Sequence, residues 1–162
     1  MNRQLSLLGV PVTLRPTALV AGMLSALAVA LITQERRVVL SAAAGVLWYT
    51  ADYVHVVGHI VSSQAVGAPM DAVDFGVYPK SVYFNHEVSP QQHIGRAGGG
   101  VVASLIATLV LAALARAVTN PLARQLLMIA VAQHGLLCAL SLLPVRLVDG
   151  GVIYANLRKL GR

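Results

Sequence analysis

The sequence predicts an all-α polytopic membrane protein, with about four transmembrane helices and a small surface β-hairpin. Three observations lead there. Hydrophobic residues make up 57% of the chain and charged residues only 11%, where soluble domains carry roughly a quarter charged. Mean hydropathy is +0.73. The Lys and Arg residues flank apolar runs, as at the aqueous ends of spans, rather than clustering with aromatics. A formal charge of +6 therefore points to a lipid bilayer and not to nucleic acid.

The 162 residues allow a single membrane domain. Residues 1–16, basic at Arg3 and Arg15 and broken by Pro11 and Pro16, read as an interfacial leader. No cleavable signal is expected, because the first apolar run begins only near Thr17. Residues 17–33 are uncharged and form the first span, at the short end of what a crossing needs. Gln34, Glu35, Arg36 and Arg37 make a tight turn that returns the chain antiparallel.

The second span, residues 38–66, carries Trp48, Tyr49, Asp52, Tyr53, His55 and His59. It is too polar to face lipid all round, so these groups face the bundle interior. Residues 67–92 hold three prolines and three acidic residues, and the stretch V-D-F-G-V-Y-P-K-S-V-Y-F-N reads as a surface hairpin loop. The third span covers 94–118, opening on a glycine run that permits close helix approach. Asn120-Pro121 starts the fourth, 121–143, and residues 144–162 hold an Asp-Gly motif and a basic tail. On four spans, eight Lys and Arg fall on the side of the termini and four on the other, which puts both termini in the cytoplasm.

His55 and His59 sit four residues apart and share a helix face, the interval at which a helix offers two nitrogen ligands to zinc. His55 lies 17 residues beyond Val38, about 26 Å into a hydrocarbon core roughly 30 Å thick. Asp149 follows the end of the fourth span on the same side. Two His and one Asp thus reach one depth by independent counting, a metal set with room for an exchangeable ligand. The other reading leaves the His pair as buried, hydrogen-bonded polar residues and Asp149-Gly150 as a turn.

Three motifs, in order, resemble those of the site-2 proteases, which are intramembrane zinc metalloproteases. H-V-V-G-H at 55–59 resembles the family's H-E-x-G-H, A-G-G-G-V-V-A-S-L at 97–105 its Ala-Gly-Pro helix start, and L-L-P-V-R-L-V-D-G-G at 142–151 its closing Leu-Asp-Gly. The surface strand segment between the first two also fits the family plan, and the resemblance spans residues 38–157. It implies a site-2-protease-like core and makes His55, His59 and Asp149 the matched zinc ligands. The family's general-base Glu is Val56 here, so no catalytic residue is carried over. Val148 and Arg146 are smaller departures.

Two accounts of Val56 follow. Either the chain is a proteolytically inactive pseudoprotease that binds a membrane partner, or it is an active zinc metallopeptidase whose base is another carboxylate, Asp52 or Glu87 beside His86. A third possibility is an accessory structural subunit of a larger complex, pigment- or haem-bearing, with His134 as axial ligand; alternatively, His134 is hydrogen-bonded in the bundle beside Gln133. Trp48, Tyr49 and Tyr53 either line a groove or pack. His86 and His93 lie at the surface loop, Asp71, Asp74 and Glu87 read as a solvated acidic loop, and Cys138 as a small buried apolar residue.

Overall fold

Helix-start and helix-stop chemistry divides the chain much as the hydropathy does. The computed structural model describes residues 5–161; Arg3 and Arg162, counted in the charge balance, lie outside them. Two short strands, β1 (Ser6–Leu7) and β2 (Val10–Leu14), lead through a 3-10 turn (Pro16–Ala18) into α1 (Leu19–Ile32) and α2 (Arg37–Ala65). Strands β3 (Ala72–Phe75) and β4 (Pro79–Val82) follow, then α3 (Pro90–Ala117), α4 (Pro121–Ser141) and α5 (Asp149–Leu160).

The caps explain the boundaries. Helix α2 ends in a Schellman motif: Gly67 takes φ +67°, its N–H donates to Gln64 O at 3.0 Å, and Ala68 N–H donates to Ser63 O at 2.9 Å. Helix α3 starts four residues before the expected span, because Ser89 and Gln92 close a capping box with Pro90 in the first turn. Asn120 caps α4 through Ala123 N–H at 3.0 Å.

The sheet is larger than the expected hairpin. Strands β3 and β4 are antiparallel, pairing Val73 with Ser81 and Asp74 with Lys80. The segment read as an interfacial leader adds two more strands: β1 and β2 form a hairpin across Leu8 and Gly9, both at positive φ, and β2 runs parallel to β3, with Val12 opposite Val73. Beyond the strand end, Arg15 closes on Asp74, with Nε 2.7 Å from Oδ1 and a second guanidinium nitrogen 2.6 Å from Oδ2. That contact holds the Asp74 carboxyl below its ordinary range.

Four spans were expected; length and composition support two. Among the described residues only α3 and α4 are both long enough and apolar enough to cross a membrane. Helix α1 is apolar but has 14 residues, and α2, with 29, is interrupted by buried Asp52, His55 and His59. Large apolar side chains such as Met23, Leu31, Val38, Val46 and Leu109 are exposed on the helices, the surface of a membrane protein.

Two apolar clusters anchor the ends of α2. Val56 and Ile60 pack on Val10, Met70 and Val73 of the sheet layer. Val29, Leu40 and Ala44 pack beside Leu122, Leu126 and Ile129 of α4. Alongside the first cluster α2 and α3 run almost backbone to backbone: a Cβ on Gly99 would strike Gly58 O and Ser62 Oγ, and one on Gly58 would strike Gly99 O. Gly99→Ala is expected to destabilise the fold by about 1–3 kcal/mol through forced repacking. Gly98→Ala, whose Cβ meets nothing within 4 Å, is expected to be neutral or to add about 0.5–1 kcal/mol. Thermal melts of the two variants in detergent, followed by circular dichroism, check the contrast.

Candidate metal centre

The imidazoles of His55 and His59 project from α2 across the glycine-rich start of α3, and both residues are buried. Their Nε2 atoms lie 3.0 Å apart. Asp149, the first residue of α5, brings Oδ2 to 3.2 Å from His55 Nε2 and 3.4 Å from His59 Nε2. Gly150 and Gly151 make this approach possible, since a Cβ on either would collide with the backbone of the 142–146 turn. The closest His–Asp pairing thus joins residues that the sequence count had placed at one depth.

The far side of each ring is fixed by α3. His59 Nδ1 is 2.8 Å from Arg96 O; a carbonyl only accepts, so Nδ1 carries the proton and Nε2 turns its lone pair inward. His55 Nδ1 pairs with the Ser104 hydroxyl at 3.0 Å. Both rings therefore have the outer partner that metal-bound histidines usually have. A Cβ on Gly100 would sit 2.7 Å from His55 Nε2 and closer still to His59 Nε2. Only a bare α-carbon fits under the rings.

Three electron-rich atoms this close repel one another unless a proton or a cation lies among them. Tetrahedral zinc with bonds of about 2.0–2.1 Å would hold its ligand atoms roughly 3.3 Å apart, and the three observed separations bracket that spacing closely. The residues fit the ion, so His55, His59 and Asp149 could hold a metal. Burial pushes the Asp149 carboxyl up, but with a proton on the facing His55 or His59 nitrogen the hydrogen bonds and charge of the imidazoles outweigh this and hold it below its ordinary range. Its place at the positive end of α5 also favours the anion.

A cavity of about 660 Å³ opens onto the trio. Its lining includes Trp48 and Asp52 of α2, Lys80 and Ser81 of β4, and Arg146 and Val148 of the turn before α5. Tyr83 also lines it, and burial pushes its phenol up to about 12. His86 and His93 stand in the lining without joining the three-residue group.

The other candidates separate. Val56 is 1% exposed and packs into the apolar cluster under the sheet. Tyr49 packs on Gly22 of α1, its hydroxyl 3.4 Å from Leu19 O, and Tyr53 is exposed, so of the three aromatics only Trp48 lines the cavity. The acidic loop is not simply solvated: Asp71 accepts from Phe84 N–H at 2.7 Å, and Asp74 pairs with Arg15. Cys138 is buried. Gln133 donates to Ser25 Oγ and Ala44 O, both at 2.7 Å, whereas His134 Nδ1 is buried with no hydrogen-bond partner among the described residues. Sequence reasoning assigns no site role to Arg96, Ser104 or Gly100; the last two lie in the 97–105 stretch, which reads as a helix-packing and helix-start motif.

Zinc is expected to bind at about one per chain in equilibrium dialysis of the detergent-solubilised protein. Ser104→Ala, which removes an outer partner, is expected to weaken binding by roughly 10–100-fold. Gly100→Ala, which puts a methyl group against both Nε2 atoms, should abolish it.

Neither the comparison with protein-family models nor that with curated proteins gives a match. Among solved structures, the site-2 protease from Methanocaldococcus jannaschii is similar, with a TM-score of 0.63 at 18% identity, over 96% of this chain and 70% of that one. Similarity at that identity is a statement about architecture. The chain has a site-2-protease-like fold.

Proposed function

We propose that this is a multi-pass membrane protein that binds zinc at His55, His59 and Asp149 and engages a polypeptide segment of a membrane partner in the adjoining cavity without hydrolysing it. In this reading four helices cross the bilayer, α2 being sheltered by its neighbours, and both termini are cytoplasmic, as the Lys and Arg distribution favours. Zinc supplies Lewis-acid polarisation. What hydrolysis also needs is a group beside the first ligand that takes and returns a proton, typically worth 10²–10⁴-fold.

One observation carries the inactive reading. The side chain at position 56 is a valine packed against Val10, Met70 and Val73, so the place of the expected base is spent on the contact between α2 and the sheet. The cavity still has the features of a peptide groove. Strand β4 lies at the edge of the sheet, paired on one side by β3, and Lys80 and Ser81 of that strand contribute to the cavity lining. An extended segment can add to such an edge by main-chain hydrogen bonds.

A second reading is supported by Asp52, a buried carboxyl one helical turn before His55 in the wall of the same cavity. As a proton acceptor there, it would make the chain an active metallopeptidase. Cleavage of a hydrophobic membrane peptide by zinc-loaded protein in liposomes, followed by mass spectrometry, decides between the two. No product above a zinc-free control is expected. Zinc-dependent product that Asp52→Asn lowers by 10²-fold or more would establish the second reading instead.

A further inference from the structure

Arg96 is 4% exposed, and among the described residues no carboxylate forms an ion pair with it: the acidic groups in such pairs are Asp74, with Arg15, and Asp149, with the two imidazoles. Its guanidinium is nevertheless held rigidly. Nε donates to Ala68 O at 2.7 Å, Nη1 donates to Asn85 O at 3.0 Å, and the group stacks on the Tyr83 ring at 4.3 Å. Two carbonyls and an aromatic face orient a cation but do not neutralise it, and a buried charge without a counter-ion is costly. Arg96 lines the same cavity as the metal trio, and its own carbonyl fixes His59.

We propose that Arg96 is the recognition group for a carboxylate carried by the polypeptide segment that enters this cavity. With Nε and one Nη1 proton occupied, three N–H donors remain on Nη1 and Nη2, and a planar guanidinium with free donors on both nitrogens suits the two oxygens of a carboxylate. Lys80 and Arg146 add positive charge around the lining, which also holds two carboxyls, Asp52 and Asp149, the latter engaged by the imidazoles. A polypeptide is favoured over a fatty acid because the edge of β4 forms part of the same wall and offers main-chain pairing that an acyl chain cannot use. This assignment rests on reading the cavity as a peptide groove, and it makes Arg96 a specificity-determining residue.

Trp48 is the single tryptophan of the chain and lines the cavity, so its fluorescence reports occupancy with or without metal. The probes are N-acetyl-Leu-Leu with a free carboxylate, the same peptide as its C-terminal amide, and decanoate, titrated into the detergent-solubilised full chain. The acid is expected to bind at least tenfold more tightly than the amide. Arg96→Gln should abolish that preference and Arg96→Lys should keep part of it. Equal binding of acid and amide, or binding of neither, by the unmodified chain overturns the proposal whether or not the variants fold. Decanoate binding as tightly as the peptide acid would overturn the polypeptide assignment. The titration is repeated after chelation: a preference that disappears with zinc and survives Arg96→Gln makes the metal the receptor, and the proposal fails. A preference that persists in a chain that binds no zinc leaves Arg96 standing while the metal reading falls.

Discussion

The rest of this structure depends on the backbone-to-backbone approach of α2 and α3 at Gly58 and Gly99. With side chains there, the helices would stand apart and the carbonyl of Arg96 would leave hydrogen-bond reach of His59. That one bond fixes which ring nitrogen carries the proton. The outer partner of His55, Ser104, comes from the same helix. A packing device and an electronic one therefore share a short glycine-rich stretch, in which Gly99 serves the helix contact and Gly100 makes room for the rings.

Position 56 shows how a local substitution is bound up with architecture. It belongs to α2 in sequence and to the sheet layer in space, because Val56 shares one apolar cluster with Val10 and Val73. A carboxyl there would enter an apolar cluster, where burial without a partner is expensive. The neighbouring positions keep the opposite character: His55, His59 and Asp52 all turn toward the cavity. One helix thus presents a polar face to a chamber and an apolar face to the sheet that roofs it.

Much of this was legible in the sequence. The hydropathy pattern and the Asn120-Pro121 start signal gave α1 to α4, and the strand-turn-strand reading of 67–92 gave β3 and β4, because each is encoded locally. The grouping of His55, His59 and Asp149 followed from counting residues along antiparallel helices. The strands at the beginning of the chain were not legible: Leu8 sits at positive φ in their turn, where no Asn-Gly or Asp-Gly signal marks a hairpin. Arg96 and Ser104 were missed for a different reason. Their roles exist only through contacts 37 and 49 residues away, which no window of sequence contains.

The parallel pairing of β2 with β3 constrains how the chain assembles. Arg15 and Asp74 lie 59 positions apart, and α1 and α2 both fall between them, so β2 is synthesised first and must wait for its neighbour. Closing so long a loop is entropically disfavoured until other contacts hold its ends together. Until then the strand presents unpaired backbone. The roof of the chamber is therefore a late event in folding, completed only after α1 and α2 have been made and the chain has turned back.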